Sequence, residues 1–497
     1  MTNNNIVEKI EFLKKFKTET TTLETKAAKN GFPKKCYDTI SSFSNKYGGT
    51  IIFGIDEENG FEITGVYDVN DLQKQISSLC SDSMEPIVRP EFLHFEYSGK
   101  ILLAVYIPEM MQNKKPCYYK PKGIAKGSYT RVGDRDEVMT DYEVYALQSY
   151  KDGIIEDIRP TKRATIEDLN KEEIDTYLKK VKEEKINFSK NTEEKILKLS
   201  GITDTSDSST YPTLAGMMIF GEYPQAYYPQ LFIACSVIPG NKLGDIGIFG
   251  QRFDDNKRIE GTIEEMLEST LIFLRKNMKT KIIINPQTGK RDNITEYPME
   301  ALREAIANSL IHRDYSIQTE NAYISVNMYD DRIEIINPGA LYGNNKIEKL
   351  GTSTIMESRN PNIVRILEEK GSVIENRHSG IPTMRREMAK YNLPEPEFIE
   401  ERGSFKVIFR NTNIVVTGDT QSDTQSDTQN KSEDINNLIL DFCTEPKTAN
   451  EIREHIGISS KRYVNYNIIK PLIEKGLLDY TNKNSINARN QKYVTKK

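Results

Sequence analysis

Three residues spaced four apart, Glu304, Asn308 and His312, are the clearest candidates for chemistry in this sequence. In the segment EALREAIANSLIHRDY that spacing puts an acid, an amide and an imidazole on one face of a helix, while Met299, Leu302, Ile306 and Leu310 form an apolar seam on another. An amide oxygen can ligate Mg²⁺ while a carboxylate one turn earlier orients a water. A solvated polar face with one satisfied histidine would read the same way, so the helix alone leaves both readings open. Further on, DDRIEIINPGAL ends at Asn337-Pro338-Gly339, and RHSGIPTMRREM places Ser379-Gly380 in a turn that opens a helix. Such a glycine turn lets backbone N–H groups approach a phosphate closely.

Two stretches carry concentrated positive charge. Between Asn113 and Arg135 seven Lys and Arg face one acid, a local +6, with Tyr118, Tyr119 and Tyr129 interleaved. Cations can meet phosphate and rings can stack on bases, which makes Lys120, Lys122, Lys126 and Arg131 candidate nucleic-acid contacts. From Ser459 onward nine Lys and Arg face two acids, a local +7, with Lys461 and Arg462 opening a helix. Acids cluster near the start instead. TETTTLETKAAKN carries Glu19 and Glu24, and the strand TIIFGIDEENG ends in Asp56. Glu24 and Lys26 lie on one face of a strand and could simply pair with each other.

The elements that must position these residues fall into an α+β, multidomain pattern. With 497 residues the chain is about three domains long. A mixed α/β region spans 1–150, with Pro33 opening a helix, a hairpin turning at Ser98-Gly99, and Thr140 and Glu143 as a capping-box pair. Charged helices over 151–204 read as a connector. A middle α+β segment comes next over 205–295, with TLAGMMIFG and QLFIACSVI as strands and a helix over Thr262–Met278. Helix, strand pair, helix and closing strand fill 296–416. The imperfect Asp-Thr-Gln-Ser repeats at 417–431 have no apolar side chain to build a core and read as a flexible linker. The tail, 432–497, reads as three helices and a hairpin.

The order of motifs resembles known families. A helix with E-x-x-x-N, a strand ending N-P-G and S-G-I-P before a helix resemble the ATP-binding module of the gyrase, histidine-kinase and MutL superfamily, in the variant found in RecG-helicase-like proteins and transcriptional regulators. That resemblance implies an α/β sandwich with ATP and Mg²⁺ as cofactors. Glu304 would then be the general base, Asn308 the Mg²⁺ ligand, Gly339 part of the adenine-side turn and Gly380 part of the phosphate lid, with His312 and Ser379 beside them. Asn337 stands where the superfamily usually has an Asp that reads the adenine amino group. At the other end, E-x₄-E-x-K, a helix ending S-x-x-N-x-x-G-G and a strand ending G-I-D resemble the Schlafen AlbA-type domain. In the ribonucleases of that type two glutamates and an aspartate hold a divalent metal, which would make Glu19, Glu24 and Asp56 catalytic metal ligands. In its bacterial regulators the same fold is taken to bind nucleic acid without cutting it. The tail resembles a winged helix-turn-helix with the helix from Ser459 as its reader.

The expected function is therefore that of an ATP-responsive nucleic-acid-binding protein, a DNA-binding transcriptional regulator. The alternative is a metal-dependent endoribonuclease acting on structured RNA, with the C-terminal parts as sensor and a defence role in view. Enzymatic activity stays open between a weak ATPase and that ribonuclease, and so does self-association. No G-x-x-x-x-G-K-[S/T] loop occurs, which argues against unwinding. No run approaches membrane-spanning length, and the five cysteines are odd in number and widely spaced, which points to the reducing cytoplasm. The net charge of −5 excludes a histone-like basic protein.

Overall fold

The computed structural model describes residues 2–33, 35–247, 249–284, 291–352, 356–371, 380–411, 439–440, 442–455, 469–474, 476–481 and 491–496. The chain divides into two compact units, Met1–Val415 and Val416–Lys497.

The first unit begins with a four-stranded sheet in the order Leu23–Lys26, Gly49–Phe53, Lys100–Ile107, Glu91–Tyr97; its first pair is parallel and the others antiparallel. Side chains alternate across it, as a strand requires. Ile51, Phe53, Leu103 and Val105 face the helix Cys36–Asn45, while Ile52, Leu102 and Ala104 pack on Ile6, Ile10 and Leu13 of the helix Asn3–Phe16. The expected hairpin turns at Ser98 and Gly99, both with positive φ. The helix Asp141–Lys151 starts on a complete capping box, in which Glu143 accepts from the Thr140 N–H and Thr140 Oγ1 accepts from the Glu143 N–H.

A six-stranded sheet forms the other half of this unit, in the order Asp255–Ile259, Ile233–Val237, Ile324–Met328, Arg332–Pro338, Ser404–Arg410, Glu397–Glu401. Two of its strands come from the middle segment, and Ile233–Val237 pairs in parallel with Ile324–Met328. A boundary at 295 would cut this sheet, so the segment 205–295 shares one layer with the strands of 296–416. The expected connector is absorbed as well: Tyr177, Leu178, Val181 and Ile196 share one core with Leu302, Ile306 and Leu310 of the helix Met299–Ile311. TLAGMMIFG is not a strand but the helix Leu214–Phe220, capped by Thr213 Oγ1 accepting from the Gly216 N–H. A short apolar run buried on every side lacks the periodicity that separates helix from strand, and the cap decided it.

In the second unit Lys447–Thr448, Lys492–Thr495 and Leu478–Tyr480 form a three-stranded antiparallel sheet in that order. It packs with Ile439, Cys443, Ile452, Ile469 and Leu472 around a small core. The linker and the first part of the expected reader helix, with Lys461 and Arg462, lie outside the described residues; the end of that segment is the helix Lys470–Glu474. All five cysteines are unpaired and buried. Among the described residues no helix is long and apolar enough to cross a membrane.

Candidate functional site

A cavity of about 770 Å³ opens between the helix Met299–Ile311, the strand Arg332–Pro338 and the helix Gly380–Lys390. That is within the usual size of a cofactor site. Glu304, Asn308 and His312 all line it, together with Asn337, Gly339 and Gly380. Ser379 lies outside the described residues. The apolar seam fixes this orientation: Leu302, Ala305, Ile306 and Leu310 are buried in the core, which turns the polar column toward the opening. Gly380 sits directly over the column. A Cβ at that position would lie 2.8 Å from Glu304 Oε2 and 3.0 Å from Asn308 Nδ2, so a larger residue there would make those two side-chain ends shift.

On the opposite wall Asn337 follows Ile333 and Ile335 with the period of two that points a strand's side chains to one face. An amide thus occupies a place where the pattern of the strand calls for an apolar residue. It is 7% exposed, and its Oδ1 is buried without a hydrogen-bond partner. Buried polar atoms of this kind are few in native proteins, because each costs about 1–3 kcal/mol. Gly339 (φ +111°) then turns the chain so tightly that a Cβ would lie 2.6 Å from Asp314 Cβ and from Arg359 Nη1.

Asp314 holds that turn in place. Its Oδ2 pairs with Arg359 Nη1 at 2.7 Å and accepts from the Tyr142 hydroxyl at 2.7 Å, while Oδ1 accepts from the Ser316 N–H at 2.9 Å. Burial pushes the Asp314 carboxyl up, but Arg359, the Ser316 N–H and Tyr142 outweigh it and hold the group below its ordinary range. Burial likewise pushes the Tyr142 hydroxyl up, so it stays a donor. The sequence reading missed Asp314, Arg359 and Tyr142. Asp314 follows the column by two residues, which was a usable signal; Tyr142 carried none.

The N-terminal acids form a different kind of cluster. Arg131, 2% exposed, pairs with Glu24 at 2.7 Å, with Asp136 at 2.9 Å and with Glu19 at 3.6 Å. Glu19 Oε1 also accepts from the Thr25 N–H and hydroxyl. Burial and the adjacent Glu24 push the Glu19 carboxyl up; burial acts against Glu24 too, but Glu19, Lys26 and Arg131 bring it below its ordinary range. Asp56 instead accepts from Asn59 Nδ2 at the surface. Among the described residues no group of three or more His, Cys, Asp or Glu is placed to hold a metal. Of the expected triad, Glu19 and Glu24 lie together on the Arg131 guanidinium, where the third acid is Asp136 and not Asp56.

This also corrects Arg131 as a nucleic-acid contact, because its charge is spent inside the domain. Lys115 is buried against Glu109 in the same way. Lys114, Lys120, Lys122, Lys126 and Arg135 remain exposed. The rings beneath them pack on one another: Tyr37 stacks on Tyr119 at 4.2 Å, and Lys122 Nζ lies 4.7 Å from the Tyr37 ring centroid.

Residues 19–140 match the Schlafen AlbA_2 family model. Residues 321–409 match a model described as "Putative ATP-dependent DNA helicase recG C-terminal", and 146–234 match a domain of unknown function, DUF8451. The chain is thus a mixed α/β multidomain protein with an AlbA-type N-terminal domain and an ATPase-like C-terminal domain, as the motifs implied. Glu304 and Asn308 precede the matched segment. The two named domain types point to interaction with nucleic acid and a link to ATP. No curated protein matches the chain. A Corynebacterium diphtheriae structure aligns over 96% of this chain and 91% of its own at 16% identity and TM-score 0.38. The N-terminal domain of a RecG-related protein from Nitrosomonas europaea aligns over 27% of this chain and 94% of its own at 26% identity and TM-score 0.22.

Proposed function

We propose that the protein binds ATP with Mg²⁺ in the cavity beside Glu304 and Asn308, and that occupancy biases its hold on nucleic acid, as a DNA-binding transcriptional regulator in the cytoplasm would require. The observation that carries this reading is the unpartnered, buried Oδ1 of Asn337 on the cavity wall. An adenine amino group would give it the missing donor, and an amide oxygen accepts that bond as the superfamily's aspartate does. The residues present also fit Mg²⁺: the Asn308 amide can supply an oxygen ligand, and Glu304, one turn earlier, is placed to orient a water. Bound Mg²⁺ would neutralise phosphate charge. Weak ATP hydrolysis is the activity open to this arrangement. On the nucleic-acid side Lys120, Lys122 and Lys126 offer an exposed phosphate-binding surface, and the tail, read as a winged helix, would add Lys461 and Arg462.

Calorimetric titration of the full chain with Mg·ATP tests the pocket, with Asn308→Ala weakening binding. Absence of binding by the wild type refutes it. Equal DNA affinity with and without Mg·ATP refutes the coupling. Cleavage of structured RNA by the wild type in Mg²⁺ or Mn²⁺, lost in Asp56→Ala, would favour the ribonuclease instead.

A further inference from the structure

We infer that Tyr142, on the helix that follows the AlbA-type segment, is a positioning residue for the cavity, and that this contact links cavity occupancy to nucleic-acid binding by the basic segment. The inference rests on the nucleotide reading above. Tyr142 stands near the start of the helix Asp141–Lys151, yet its hydroxyl donates to Asp314 Oδ2 at 2.7 Å and accepts from the Ala340 N–H at 3.3 Å. Arg359 joins the same two residues from the other side, pairing with Asp314 and donating to the Ala340 carbonyl at 2.7 Å. Gly339, Ala340 and Arg359 line the cavity. The turn that shapes the wall is therefore held in part by a residue 172 positions before Asp314, on the helix that follows the AlbA-type segment.

Two further contacts run the same way. Glu109 is shared between the domains: Oε1 pairs with Lys115 of the basic segment at 2.9 Å, and Oε2 with Lys346 at 2.7 Å, next to the cavity residue Asn345. Tyr150 packs edge-on against Tyr342, another cavity residue, at 5.3 Å between centroids. The Tyr142 helix in turn follows the strand pair of the basic segment, where the Met139 N–H donates to the Ser128 carbonyl. Phosphate drawn to Lys120, Lys122 and Lys126 acts on a segment tied at two points to the cavity wall. Linkage is reciprocal, so a nucleotide that prefers one setting of the turn must feel the nucleic acid by the same factor.

The test measures the affinity of full-length protein for a non-hydrolysable ATP analogue, with and without a saturating short DNA duplex or RNA hairpin, in wild type, Tyr142→Phe and Glu109→Gln. In wild type, nucleic acid should change analogue affinity by about fivefold or more, the low end of allosteric couplings. Tyr142→Phe should weaken the analogue and bring that ratio toward one, while nucleic-acid affinity without analogue stays at the wild-type value. A folded Tyr142→Phe protein with the full wild-type ratio overturns the inference, as does a wild type that binds both partners with a ratio of one or that binds neither nucleic acid. Should Tyr142→Phe fail to fold, Glu109→Gln gives the same readout, and an unchanged ratio there is equally decisive. Absence of analogue binding in every variant instead sinks the nucleotide reading itself.

Discussion

Arg131 separates two accounts of the N-terminal domain, because the sequence offers it as a phosphate contact while the structure makes it the centre of a buried ion cluster. In Arg131→Ala, Glu24 and Asp136 lose the guanidinium at 2.7 and 2.9 Å; Glu24 keeps Lys26, while Asp136 is left with the Thr39 and Ser42 hydroxyls. Breaking a buried pair by removing one partner costs about 3–5 kcal/mol, a large share of the roughly 5–15 kcal/mol that holds a domain together. Removal of a surface phosphate contact would instead leave stability within about 0.5 kcal/mol. The deficit should also depend on pH. Without Arg131, Glu24 would hold its proton more tightly in the folded variant than in the folded wild type, so the variant's deficit should grow as pH rises through the carboxylate range. Arg131→Lys should fall between the two, since an ammonium cannot span both acids as a planar fork does. Hydrogen exchange of the amides in Gly49–Phe53 and Tyr129–Val132 reads the effect within the domain concerned. Protection in Arg131→Ala within about 1 kcal/mol of wild type, together with weaker nucleic-acid binding, would refute the reasoning.

Three more outcomes can be checked. Asn337→Leu removes a buried acceptor that has no partner, so the ligand-free protein should gain up to about 1–3 kcal/mol in a thermal melt while losing Mg·ATP binding; a stability loss with binding intact contradicts the role given to Asn337. Replacing Lys120, Lys122 and Lys126 together by Ala should lower the slope of log affinity against log salt for duplex DNA by up to roughly 2.7, at about 0.9 per phosphate contact, and an unchanged slope removes this surface from the interface. For Glu19 the sign runs the other way from a salt-bridged acid. Its folded carboxyl is held above the ordinary range, so the folded state binds that proton more tightly, and stability falls as pH rises from the unfolded value toward the raised one. Glu19→Gln should flatten this limb in melts across that window, and an unaltered limb assigns it to another group.

Local physics is enough to make several features legible in the sequence. Residues four apart must share a helix face, so Glu304, Asn308 and His312 were bound to line one surface, and the buried seam of Leu302, Ile306 and Leu310 settled which surface. The capping box at Thr140 and the hairpin at Ser98-Gly99 are written within a few residues and formed as expected. Motif order likewise identified the AlbA-type and ATPase-like domains.

The tertiary structure decided whatever depends on burial by distant parts of the chain. A basic run looks the same whether its cations face water or an internal acid; Arg131 and Lys115 turned inward because Glu24, Asp136 and Glu109 were waiting there. The middle segment could be placed only once Ile233–Val237 found its parallel partner in Ile324–Met328, a pairing that no local pattern encodes. Tyr142 reaches Asp314 across 172 residues, and nothing in the spacing of either announces the contact. Periodicity fixes which way a side chain points from its own element; only the packing of elements decides what it meets there.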